Sequence, residues 1–279
     1  MMLVLAAAAG ALIGLSLGAL GGGGSILAVP VLVYLLGQSP AQATTGSLVV
    51  VAVSSLTGAL AARRAGHVML GRGLAFGAVA VGGAAVGAAA SSKVPEDVLM
   101  AAFAVLMLVV GGVMARRQLR HRRERRTGVA DPRSSARPRL DDPIITFSPT
   151  FACQCPRALK VLLTATAVGL LTGFLGVGGG FLVVPALLLA LALPMEYAAG
   201  TSLVVITVTS LAALAVRGGT GVTPDWGPVL VLTVAAALAA LGGARLAQRI
   251  PAARLQGAFT LLVLTVAAGT GAAALPALA

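Results

Sequence analysis

Apolar positions in this chain do not alternate with polar ones at the strand period. They form long runs. The runs cover residues 1–20, 25–36, 43–62, 73–90 and 98–114, and then 162–175, 181–193, 198–216, 229–244 and 255–274. Continuous runs of this length read as helices that are buried or face lipid, and the longest can cross a bilayer. A strand barrel needs short alternating segments and is excluded by the same pattern. Polar breaks separate the runs: GQSP at 37–40, a loop carrying Arg63, Arg64, His67 and Arg72, the turn KVPED at 93–97, and a loop carrying Arg245, Arg249, Pro251 and Arg254. The fold class expected is all-α, a polytopic integral membrane protein.

Two breaks are of another kind. LGGGGSILAVP at 20–30 and LGVGGGFLVVP at 175–185 are glycine runs inside apolar sequence, each followed by a short segment containing proline. Those following segments are only about half the length a spanning helix needs. Shifting the chain on itself by 155 residues aligns the two. From Gly14 to Gly66 against Gly169 to Gly221 there are 21 identities in 53 ungapped positions. Biased apolar composition raises such counts, but it does not also align Pro30 with Pro185, Ser47 with Ser202 and Ser55 with Ser210. One residue later in offset, Lys93-Val94-Pro95 aligns with Arg249-Ile250-Pro251. The chain is therefore read as a first transmembrane repeat (1–115), a basic, largely disordered linker (116–158) and a second transmembrane repeat (159–279).

Charge placement orients the repeats. Of the net charge of +12, the segment 116–160 holds +8, from 12 basic and 4 acidic residues. A basic block beside a membrane helix reads as a cytoplasmic loop. With no nucleic-acid-binding module and Phe147 and Phe151 as its only aromatics, it gives no reason to expect nucleic acid as a partner. With that linker inside, the loops around Arg63–Arg72 and Arg245–Arg254 both fall inside, provided each half crosses an odd number of times. Five crossings satisfy this, and so do three plus a re-entrant hairpin made by the first two segments. Either way the repeats are expected to be inverted, as in many secondary transporters. The N-terminal run lacks a positive n-region and belongs to the repeat, so it is read as retained.

At 58% hydrophobic, 10% charged and a mean hydropathy of +0.99, the chain cannot cover a water-facing surface. No catalytic, nucleotide or metal constellation is visible, and no cofactor or enzymatic activity is expected. Cys153 and Cys155 form a lone C-x-C without further ligands and read as two reduced thiols. All eight acidic residues lie in expected turns, loops or the linker, although Glu196 is near a span. A site without carboxylates, built from glycine N–H groups, hydroxyls and helix N-termini, suits an anion. The candidate substrate-binding residues are Gly23, Gly24 and Ser25, their counterparts Gly178, Gly179 and Gly180, and Thr45, Ser47, Thr201 and Ser202, which open the third segment of each half. Helix packing is the plain alternative for every one of them.

The glycine-proline units, followed by ATTGSL at 43–48 and AAGTSL at 198–203, resemble the sulfite exporter TauE/SafE family, also called the toluene-sulfonate uptake permease family. The second half is the closer match; Thr44-Thr45-Gly46 departs in order from Ala199-Gly200-Thr201. The resemblance implies a secondary carrier in the cytoplasmic membrane for sulfite or organosulfonates, with the bilayer and a small anion as its partners. Alternating access of one half against the other would be its mechanism. A carrier or channel for another solute and a non-transporting membrane assembly protein are the rival readings.

Overall fold

The computed structural model of the protein describes residues 2–91, 96–126, 155–175, 180–189, 193–217 and 224–278. Among them it is all helical. Helix α1 (Met2–Leu20) ends at the first glycine break. Gly21 adopts φ +75°, a backbone that side chains resist, while its N–H still bonds the Leu17 carbonyl at 2.8 Å. The chain then reverses. Gly24 lies back against Ile13 and Leu17 of α1, so α2 (Ser25–Pro30) returns antiparallel to it. Pro30 has no N–H to continue the ladder, and the helix relaxes into a π turn at Val31–Leu35. The Gln38 N–H closes it on the Leu32 carbonyl at 3.0 Å. The corresponding bond, Leu193 N–H to Leu187 carbonyl at 3.1 Å, follows α7 (Gly180–Leu189), which carries Pro185.

Helix α3 (Pro40–Arg64) starts where GQSP was expected to turn. Ser39 and Gln42 form a reciprocal capping box with Pro40 in the first turn. The remaining helices are α4 (Leu70–Ser91), α5 (Glu96–Arg126), α6 (Cys155–Leu175), α8 (Met195–Arg217), α9 (Trp226–Ala247) and α10 (Ala252–Leu278). Two bounds differ from the sequence reading. Helix α5 continues about three turns into the basic segment, because Arg, Gln, Leu and Glu are good helix formers even where they do not pack. Helix α6 begins at Cys155. The rest of the expected linker, with Cys153, and the turn residues Lys93 and Pro95 lie outside the described residues.

Among the described residues five helices, Met2–Leu20, Gln42–Arg64, Leu70–Gly87, Met195–Val216 and Trp226–Ala247, are long and apolar enough to cross a membrane. Bulky residues such as Leu12, Leu163, Leu238 and Leu261 point outward. Leaving each in water would forgo about 1.5–3 kcal/mol of burial, so this surface is made for hydrocarbon. The polar residues buried inside, among those described, are Ser and Thr plus the single amide Gln38; no charged side chain is buried.

The helices pack by exchange between the two halves of the sequence. Gly10, Gly14 and Gly18 of α1 lie on Leu232, Ala236 and Ala240 of α9, so these helices run parallel. Gly169 and Gly173 of α6 lie on Ala80 and Ala84 of α4, also parallel. Gly243 meets Leu15 as Gly87 meets Leu170. At offsets of 155 and 156 residues these are the same contacts with the halves traded. Helix α3 runs along α9, α4 along α8 and α5 against α10. Helices α3 and α8 cross antiparallel, with Ser55 and Thr207 hydroxyls 2.9 Å apart and Gly58 against Leu203.

Candidate functional site at the glycine breaks

These directions give the bundle two unlike ends. At one end stand the end of α3 with Arg63 and Arg64, the loop with His67, the first turn of α8 with Glu196, and the end of α9 with Arg245. The Gln118 amide N–H donates to the Ala253 carbonyl at 3.2 Å, which brings the basic end of α5 here too. At the other end the Gln38 amide N–H reaches the Asp225 carbonyl at 3.3 Å, and Tyr34 and Trp226 are exposed, as aromatic side chains are at a membrane interface.

The glycine breaks meet between these ends. A Cβ on Gly22 would run into the Gly180 carbonyl, and one on Gly180 would stand 2.6 Å from the Ser25 hydroxyl. Gly180 also touches Ile206, the middle residue of α8, which puts the meeting point at mid-depth. Gly21 lies against Ala199, and the Ser202 hydroxyl donates to the Gly21 carbonyl at 2.5 Å, sharing its proton with Ala199 at 2.8 Å. Ser25 and Ser202 are 4% and 0% exposed. The Ser25 hydroxyl donates to the Gly22 carbonyl at 2.7 Å. The two serine protons are thus given to backbone carbonyls, and each hydroxyl oxygen keeps acceptor capacity.

Five of the candidate residues form this cluster or border it. Gly23, Gly24 and Ser25 follow the reversal, while Gly180 and Ser202 close it from the second half. Thr201 is buried next to Ser202 but faces away; its hydroxyl accepts from the Met69 N–H at 3.2 Å and so holds the 65–69 loop onto α8. Thr45 and Ser47 are not brought to this cluster. Gly46 between them lies against Val229, near the start of α9, whereas Gly18 lies against Ala240. Along α9 that separates Ser47 from Gly21 by roughly 20 Å. Ser47 instead bonds the Thr44 carbonyl in its own helix. Gly178 and Gly179 lie outside the described residues.

Sequence reasoning missed two features at the basic end. One is a cavity of about 190 Å³ whose walls include Gly18, Ala199, Gly200 and Leu203, directly below the cluster, with His67 and Glu196 at its rim. His67 Nε2 and Glu196 Oε2 are 3.8 Å apart, and the His67 ring stands edge-on to Tyr197. No motif joins His67 to a carboxylate far along the chain. The other is a cavity of about 380 Å³ between α3 and α9, lined by Thr57, Arg64, Arg245 and Gln248 among others. Here a signal did exist, because charge placement had already put both arginine loops at one end. Among the described residues no group of His, Cys, Asp and Glu could hold a metal ion.

The family described as "Sulfite exporter TauE/SafE" matches residues 6–270. Two Xylella fastidiosa proteins, each named "Probable membrane transporter protein", are also similar. The one from strain Temecula1 is 33% identical over 205 residues, and the one from strain 9a5c is 32% identical over 209. Each alignment covers 73% of this chain and 69% of the relative. No solved structure matches.

Proposed function

The chain belongs to the sulfite exporter TauE/SafE family and is a multi-pass membrane protein of a transporter family, and from that premise we propose that it carries a small sulfur oxyanion, sulfite or an organosulfonate, across the cytoplasmic membrane. The observation that carries this reading is the polarity of the interior. Among the described residues, everything polar that is buried is a neutral hydroxyl or amide, and the glycine breaks that meet at mid-depth expose backbone rather than carboxylates. A buried cation site or proton relay is ordinarily built on intramembrane carboxylates. An anion needs donors; the Ser25 and Ser202 protons are given to the Gly22 and Gly21 carbonyls and the Gly21 N–H to Leu17, so on this reading the N–H groups of the glycines after Gly21 supply them, without a fixed charge that would hold the solute too tightly to release.

Alternating access of two inverted repeats is the mechanism this reading implies, and the packing supports one version of it. Helix α1 cannot part from α9, nor α6 from α4, without separating backbones in close contact. The bodies that move against each other are therefore mixed: α1, α2, α3 and α9 in one, α4, α6, α7 and α8 in the other. They slide along the α3–α8 crossing, with the glycine breaks on the seam. By the excess of arginine, the basic end faces the cytoplasm.

The test is flux. Purified protein in liposomes should take up radiolabelled sulfite or methanesulfonate saturably, with each competing against the other. Flux of a cation without flux of either anion would replace the reading. No flux of any solute, together with a co-purifying protein, would favour an assembly role.

A further inference from the structure

We propose that Arg64 and Arg245, with the Gln248 amide, form an oxyanion-binding site at the basic end, separate from the glycine breaks and feeding them. The site is the 380 Å³ cavity between the last turn of α3 and the last turn of α9. Its volume suits a sulfonate, sulfite or phosphate group with part of a hydration shell. Two helices present one guanidinium each, and guanidinium forks match the paired oxygens of such groups. Thr57 lies deeper in the same cavity, its hydroxyl donating to the Ser54 carbonyl at 2.9 Å. The one carboxylate described nearby, Glu196, sits in the neighbouring cavity and faces His67 instead. None of the described residues lining the arginine cavity is acidic.

Gln248 is the link. It lines both cavities, and the smaller one ends at Gly18 and Ala199, beside the Gly21 carbonyl that Ser202 bonds. An oxyanion held by the arginines therefore stands one side chain, Gln248, away from the cavity that borders the glycine breaks. This inference deepens the anion reading and rests on it for the onward path. Binding at the arginines does not need transport to occur.

Two sources offer the same chemistry: a free oxyanion in solution, and the phosphate of an anionic lipid at the membrane interface. The experiment compares wild type with Arg64→Gln/Arg245→Gln and with Arg64→Lys/Arg245→Lys. Both arginines are exposed, and near-wild-type elution and helical content will confirm that the variants fold. Calorimetric binding of sodium sulfite and methanesulfonate to purified protein should weaken about tenfold in the glutamine pair and recover in part in the lysine pair. Loss of co-purified phosphatidylglycerol in the glutamine pair, with solute binding unchanged, assigns the site to lipid phosphate and still supports the oxyanion chemistry. Unchanged binding of both overturns the proposal. In liposomes the glutamine pair should raise KM about tenfold with kcat within twofold, and should flatten the dependence of uptake on ionic strength. If wild type binds sulfite through these arginines but carries none, the transport reading fails and the site stands.

Discussion

The parallel contact of α1 with α9 makes the sharpest prediction, Gly14→Ala. A Cβ on Gly14 would sit 2.7 Å from both the Cα and the carbonyl carbon of Ala236, and nearer still to its oxygen. Real contacts of this type are not found below about 3 Å, and the opposing atoms are backbone, which no rotamer change removes. The helices must separate by most of an ångström. A gap of 0.5–1 Å forfeits roughly a quarter to a half of the dispersion well at each contact, and Gly10, Gly18 and Gly243 share the seam. Overpacking of this kind costs about 1–3 kcal/mol, offset by less than about 1 kcal/mol from the better helix propensity of alanine. A net loss of about 1–2 kcal/mol is expected. The same arithmetic applies to Gly169→Ala against Ala80, so the two variants should be destabilised alike. Gly82→Ala and Gly112→Ala, where a Cβ would meet nothing within 4 Å, serve as controls and should be neutral or slightly stabilising. Reversible unfolding in detergent micelles, followed by helical signal, reads all four. If Gly14→Ala and Gly82→Ala have equal stability, the close seam is not what holds α1 to α9.

Three further outcomes follow from the packing. With Cys153 and Cys155 replaced by serine, oxidising Ser55→Cys/Thr207→Cys should stop transport across the α3–α8 crossing, and reductant should restore it. The same treatment of Gly77→Cys/Val208→Cys, which ties α4 to α8 within one body, should leave flux within about twofold; equal inhibition by both pairs would argue against mixed bodies. Gln38→Leu should cost little or add slight stability in thermal unfolding, because the buried Oε1 has no hydrogen-bond partner and Leu193 stands at the matching position; a loss above about 2 kcal/mol would mean that the bond to Asp225 dominates. Ser202→Ala should lower stability by about 1 kcal/mol and change solute KM, since it frees the Gly21 carbonyl inside the cluster; an unchanged KM would remove Ser202 from the site.

Period and punctuation made the helices legible. The GQSP turn, the reversal at Gly21 and the short segments after each break are where apolar runs and glycine placed them. The repeat offset carried further than fold class, since Gly14 with Gly169 and Ala80 with Ala236 turn out to make traded contacts. What the offset could not tell is which helix of one half a glycine touches in the other, because close packing depends on three-dimensional direction and not on spacing. For that reason spacing groups Thr45 and Ser47 with the first glycine run although Gly21 lies about 20 Å from Ser47 along α9. The end of α5 was missed for a different reason. A helix rich in arginine has no apolar period to read, yet its residues favour the helix locally.

The traded helix contacts treat the two ends of the bundle alike, and the charges do not. At the repeat offset Arg64 corresponds to Gly219, Arg245 to Ala89 and Gln248 to Ser92. Whatever the glycine seam offers one face of the membrane it offers the other, but the arginine cavity has a counterpart in neither composition nor charge. Orientation in the membrane explains an excess of arginine at one end, but it does not require these two to line one cavity. Arg63, Arg72, Arg249, Arg254 and the run at 116–126 remain to fix orientation when Arg64 and Arg245 are neutralised. The glutamine pair should therefore keep wild-type topology while losing its preference for solute presented at the basic end. Electrostatic capture raises encounter rates and is screened within about 8–10 Å at physiological salt, so the effect belongs to the face that carries the charge. On the proposed mechanism the carrier is symmetric in its moving parts and one-sided in how it collects its solute. The ratio of KM values measured from the two faces of oriented liposomes reads that difference directly. Wild type should show the lower KM at the basic end, and the two values should converge in the glutamine pair. Equal values in wild type would mean that the arginines orient the protein and do nothing more.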